Sequence, residues 1–165
     1  MAKKEHTKKH RGTGTFIACL ILAVLLALGC RFAVFETVTV TTDAMAPDYT
    51  AGDTIFVNKL TLWKSFDVKR GDAVYADFKS GSCRLIRRVA GVEGDLIDVR
   101  DDGFYLLPAE GGELFLGDAP GLQYGTLPYG AYLLLGNGSG PDSRELGLVY
   151  RTDILGIPGK IIIDR

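Results

Sequence analysis

The sequence predicts an all-β extracytoplasmic domain of short, mostly antiparallel strands, carried on one N-terminal transmembrane helix. Three observations predict it. An uncharged apolar run stands near the start, brief β-branched runs follow it, and Gly and Asp punctuate those runs too closely for helices to intervene.

The apolar run comes first. Gly12 to Cys30 holds 19 residues without a charge. At about 1.5 Å per residue a helix of that length spans roughly 28 Å, enough for a hydrocarbon core of about 30 Å. Ahead of it, Lys3, Lys4, Lys8, Lys9 and Arg11 stand against Glu5 alone. That bias keeps the tail in the cytoplasm and sends the residues beyond Arg31 outside. The expected division is a basic cytoplasmic tail over 1–11, a transmembrane helix over 12–30 in the cell membrane, and an extracytoplasmic β domain over 31–165. A cleaved signal peptide is the main rival, but Gly29-Cys30-Arg31-Phe32 matches the small residues of a cleavage site poorly.

Beyond the run, Phe32 to Thr42 alternates apolar and polar residues, with Val34, Val38 and Val40 set against Thr37, Thr39 and Thr41, which suits a half-buried strand. Further strands are expected at Thr54–Asn58, Ala73–Phe78, Arg84–Ala90, Leu96–Val99, Phe104–Leu107, Ala131–Leu135 and Ile161–Ile163. Gly52-Asp53, Gly71-Asp72, Gly94-Asp95, Asp102-Gly103 and Gly111-Gly112 are the turns between them. Glu110 to Tyr129 reads as an irregular insertion or hairpin.

Composition excludes several classes. Outside the first 14 residues the chain carries 14 basic and 19 acidic residues. That is not a nucleic-acid surface. Cys83 is the only cysteine well inside the outer domain, so no disulfide framework exists there. The only histidines, His6 and His10, lie in the basic tail, which leaves neither a metal-ligand spacing nor a Ser-His-Asp arrangement; no metal or other cofactor is implied.

Three segments carry the chemistry: Thr41-Thr42-Asp43-Ala44-Met45-Ala46-Pro47, then Leu85-Ile86-Arg87-Arg88-Val89-Ala90-Gly91-Val92-Glu93-Gly94-Asp95, then Gly136-Asn137 through Asp142-Ser143-Arg144-Glu145-Leu146-Gly147. In this order, behind an apolar anchor, they resemble the signatures of the type I signal peptidases, membrane-anchored Ser-Lys proteases that remove signal peptides from secretory precursors. The resemblance covers nearly the whole chain past the anchor and implies an all-β fold. It places the nucleophile at Ala44, the general base at Arg87 and an oxyanion-hole hydroxyl at Thr42. It also implies a shallow cleft in which an extended precursor adds as a strand, lined by Thr42, Asp43, Ala44, Met45, Leu85 and Ile86. Arg88, Asp142 and Arg144 match a charged cluster holding the last signature against the second.

The departures fall on the reacting groups. Ala44 has a methyl where the hydroxyl should be, and a guanidinium at position 87 stays protonated where a buried Lys could act as base. The Ser that orients the Lys in the family is Gly140 here, and the loop from Gly136 to Asp142 is about two residues shorter than the family's by the resemblance. Asp43 is the counter-charge expected for Arg87. Three readings follow: a non-cleaving homologue that binds a secretory precursor or a pilin-like protein, for example an accessory protein of pilus assembly; a signal peptidase in a substituted, inactive form; or an enzyme active through a rearranged site using Lys79 or Ser139.

Overall fold

The computed structural model describes residues 11–59, 67–138 and 140–163. Two compact units divide between Val34 and Phe35. The first contains one helix, α1, Arg11–Val34. Its side chains from Gly14 to Gly29 are all exposed and its apolar residues run round the whole circumference. Among the described residues no helix is long and apolar enough to cross a membrane.

The second unit is β, as the punctuated runs predict. In chain order its strands are β1 Phe35–Thr39, β2 Thr54–Asn58, β3 Ala73–Phe78, β4 Cys83–Gly91, β5 Leu96–Arg100, β6 Gly103–Leu107, β7 Leu114–Gly117, β8 Gly125–Thr126, β9 Ala131–Leu135, β10 Val149–Tyr150 and β11 Ile154–Ile163. They form a seven-stranded sheet, β1-β2-β11-β3-β4-β9-β10, and a four-stranded sheet, β7-β6-β5-β8, with every pairing antiparallel. One short helix, α2, Ser143–Leu146, follows β9.

Three boundaries differ from the sequence reading. The run Phe32–Thr42 is not one strand. Helical backbone persists through Val34, and strand geometry starts at Phe35, where the β-branched Thr37-Val38-Thr39 takes over. The final strand begins seven residues earlier than Ile161, at Ile154; Pro158 and two glycines hide its pattern, and a register shift between Pro158 and Ile161 accommodates them. The insertion Glu110–Tyr129 contains β7 and β8, which complete the smaller sheet.

The core is divided by strand alternation. On β3 and β4, Val74, Ala76, Phe78, Leu85 and Val89 face one cluster together with Tyr132 and Leu134 of β9. Their neighbours Tyr75 and Ile86 face the other way and join Val40, Met45, Ile55 and Val57. Leu133, between Tyr132 and Leu134, turns to a third cluster with Ile97 and Leu106 of the smaller sheet and Leu127, which follows β8. The continuous apolar run of β9 is thus a strand buried on both faces.

Candidate functional site

β3 pairs β4 along its length, from Phe78 opposite Cys83 to Ala73 opposite Arg88. On its other side β4 is paired by β9 only from Arg88 onward. Among the described residues the stretch Cys83–Arg87 therefore has no strand on that side, and Arg87 Nη1 takes the Ile86 carbonyl there. Facing it is the segment leading from β1 into the Ala44 turn. That segment is tied to the Gly52-Asp53 turn by the Val40 N–H donating to Asp53 O at 2.8 Å and the Gly52 N–H donating to Val40 O at 2.9 Å. Between the two lies a slot of about 20 Å³, lined by Val38 to Thr42, Met45, Tyr75 and Arg84 to Arg87. This is room for about one water.

The loop leaving β9 emerges beside the end of that stretch, so it folds over the slot's inner end. Asn137 donates its backbone N–H to Ala44 O at 2.5 Å and its side-chain amide to Ala46 O at 3.3 Å. A Cβ on Gly136 would lie 3.1 Å from Ala44 Cβ, and one on Gly140 3.4 Å from Ala44 Cβ and 3.3 Å from Arg87 Nη2. Glycine at both positions is what lets the loop pack this closely. Ala44 is wholly buried as a result, and Arg87 is 1% exposed.

Arg87 is held by carbonyls. Its Nε and Nη2 donate to Pro141 O at 3.0 and 2.7 Å, and its Nη1 donates to Ile86 O at 2.6 Å. Among the described residues no carboxylate lies within ion-pairing distance. Burial pushes the guanidinium below its ordinary value, and Asp142 opposes the shift. It remains a cation, since arginine starts so far above neutrality. The expected Asp43–Arg87 pair does not form: the exposed Asp43 carboxylate accepts the Ala51 N–H at 2.8 Å and closes its own turn.

The charged cluster is also split. Asp142 and Arg144 pair at 2.7 Å. The same buried carboxylate caps α2 through the Arg144 N–H at 2.9 Å and receives the Gly136 N–H at 3.1 Å. Arg88 lies elsewhere, bonded to Asp48 and to Gly71 O. The cause is strand alternation: Arg88 points to the face opposite Arg87, away from the loop that carries Asp142.

The remaining predicted residues separate in the same way. Thr42 is half-buried and lines the slot. Met45 and Ile86 pack together beneath it with Tyr75. Leu85 points into the main core, so what it offers the slot is its backbone. Lys79 sits in the turn beyond Phe78, paired with Asp153, five positions along β3 from the residue opposite Arg87, or about 16 Å. Ser139 lies outside the described residues. Sequence reasoning missed Tyr75, Asn137 and the Pro141 carbonyl. The alternation of glycine at 136, 138 and 140 was the available signal for a closely packed loop. Among the described residues no group of His, Cys, Asp and Glu is placed to hold a metal ion.

The fold and the site define an antiparallel β scaffold in which one side of β4 is unpaired, among the described residues, beside two positions that carry Ala and Arg. The chain belongs to the signal peptidase family, peptidase S26, whose model matches residues 13–161. It is 28% identical to signal peptidase I of Bacillus licheniformis over 171 residues, covering 94% of this chain and 91% of that protein. It is 29% identical to signal peptidase I T of Bacillus subtilis, covering 92% and 87%. Among solved structures it is similar to a signal peptidase I of Enterococcus faecalis, with 22% identity and a TM-score of 0.39, covering 55% of this chain and 96% of that one.

Proposed function

We propose that this chain is a non-cleaving member of its family, anchored in the cell membrane, that binds an extended segment of a secretory precursor or pilin-like protein outside it. The observation that carries the reading is the joint replacement of both reacting groups: no hydroxyl exists at Ala44, and Arg87 is spent on the carbonyls of Pro141 and Ile86. The side of β4 left unpaired over Cys83–Arg87 supports strand addition as the binding mode. An accessory role in pilus assembly is one form of this function.

The purified full chain in detergent is expected to show no turnover of a signal-peptide substrate while still crosslinking to it from a photoreactive group placed at Thr41. Thr42→Trp fills the slot and should abolish crosslinking with an unchanged melting curve. Turnover by the purified chain, lost with the catalytic position of no other protein in the preparation, would overturn the reading.

The anchor rests on the uncharged run Gly12–Cys30 and on a helix that is apolar all round, a pattern suited to a lipid surround. The basic tail sets its direction. An engineered cysteine at Asp101 should be labelled from outside intact cells, and one at Lys4 only after permeabilisation. The reverse pattern would reject the topology.

A further inference from the structure

The longest uncharged stretch of the chain lies in the outer domain, and much of it faces solvent. From Ala119 to Pro141 no residue carries a charge, in a chain where 24% of residues do. Within it Gln123, Tyr124, Thr126, Pro128 and Tyr129 are exposed. Part of this stretch walls a groove of about 320 Å³ that shares no lining residue with the slot beside β4.

The groove lies where the two sheets end. β8 is the last strand of the four-stranded sheet and β10 the last of the seven-stranded one, and residues of both line it. Its floor is one side of the third core cluster: Ile97, Leu122 and Leu127 are buried in that cluster, and Leu148 packs against it. Tyr124 and Tyr150 complete the lining at 69% and 48% exposure. Among the described residues neither ring stacks on another aromatic. The walls are fixed before any ligand arrives, since the Gly121 N–H donates to Arg144 O and the Leu127 N–H to Asp95 O, both at 2.7 Å. A preformed apolar groove with a few polar groups at its margin is the usual form of a ligand site.

The lining selects the occupant. No charged side chain borders the groove, so a charged ligand would lose water there without gaining a partner. β8 and β10 are two residues long, too short to template an added strand. What fits is an uncharged chain that needs no ladder. A polyproline II segment is such a chain: it is already extended, makes no internal hydrogen bonds, and lays its rings on aromatic walls whose hydroxyls donate to its carbonyls. Gln123 and Thr126 add side-chain donors to the same lining.

We propose that the groove between β8 and β10 docks an uncharged, proline-rich segment of a partner protein, packed against Tyr124 and Tyr150. Occupancy of the slot is not required.

Fluorescence anisotropy on the full chain in detergent tests this with the peptide Ala-Pro-Pro-Ala-Pro-Pro-Ala, acetylated and amidated so that no charge remains, against a counterpart with Ser at every Pro. The proline peptide is expected to bind about tenfold more tightly or better. Tyr124→Ser and Tyr150→Thr should each remove most of that difference, with melting curves unchanged because both side chains are largely exposed. Tyr129→Ser, at a residue 87% exposed but outside the lining, should leave the affinity as it is. Equal affinity for the two peptides, or a preference that survives both tyrosine substitutions, would overturn the proposal. So would loss of the proline peptide in Thr42→Trp, which would place it in the slot. A neutral chito-oligosaccharide that binds through Tyr124 and Tyr150 where the proline peptide does not would assign the groove to glycans instead.

Discussion

Asp142→Ala is expected to lower the stability of the outer domain by about 3 kcal/mol, the scale of breaking a buried pair together with a helix cap. Four interactions fail at once. The buried carboxylate caps α2, receives the Gly136 N–H, and holds Arg144 through both Nε and Nη2. Asp142→Asn keeps the cap through its one amide oxygen but sets an NH2 where Oδ2 accepts from the Gly136 N–H and Arg144 Nη2, so it should cost about 2 kcal/mol. A pH dependence follows. Burial alone would raise the Asp142 carboxyl, but the hydrogen bonds from Arg144 and Gly136 outweigh it and hold the group below its ordinary value. A carboxyl with a depressed folded value contributes stability that is complete above its unfolded value, near pH 4, and is lost as pH falls through the folded one. The stability difference between the unaltered chain and Asp142→Asn should therefore narrow as pH drops from 7 to 3. Urea denaturation of the full chain in detergent across that range measures it, and a constant difference would contradict the assignment.

How much of this was legible in the sequence depended on whether a residue's partner was local. Strands with period-two alternation and Gly-Asp turns were readable because both signals lie within a few residues; β2, β3, β5 and β6 stand within two residues of where they were expected. The end of α1 was not readable, because Phe32-Ala33-Val34 suits a helix as well as a strand and the hydrogen bonds of the preceding turn decide it. The small strands β7, β8 and β10 are stabilised by their sheet neighbours and not by their own composition. At the site, the missing hydroxyl and amine were visible directly. The partner of Arg87 was not, since a backbone carbonyl leaves no mark on a sequence. Assigning Asp43 to it followed charge alone, and the geometry that gives Asp43 to Ala51 is a local turn that charge counting ignores.

Ala44→Ser with Arg87→Lys is expected to give no turnover, although it restores the two reacting groups in kind. An ammonium has three donors on one atom and cannot reproduce the bonds that Arg87 makes to Pro141 O and Ile86 O, so the loop above it loses its clamp. Adding Gly140→Ser to orient the new Lys is not enough by itself. Residue 140 has φ 144°, a region open to glycine, and a side chain there costs about 1–3 kcal/mol of strain. It also meets Ala44 Cβ at 3.4 Å, which leaves a seryl hydroxyl at 44 little room to reach a substrate. The three substitutions should become productive only with two residues inserted between Gly136 and Asp142, which relaxes residue 140 and lifts the loop from position 44. Nucleophile, base and orienting hydroxyl act as a unit, so the gain should be strongly non-additive: every partial combination stays at background, and the complete one exceeds it by about 1000-fold or more. Single-turnover assays on a signal-peptide substrate, run for each intermediate, test this. Cleavage by the double variant alone would show that the loop over Ala44 opens freely. It would then remove the closed-site argument.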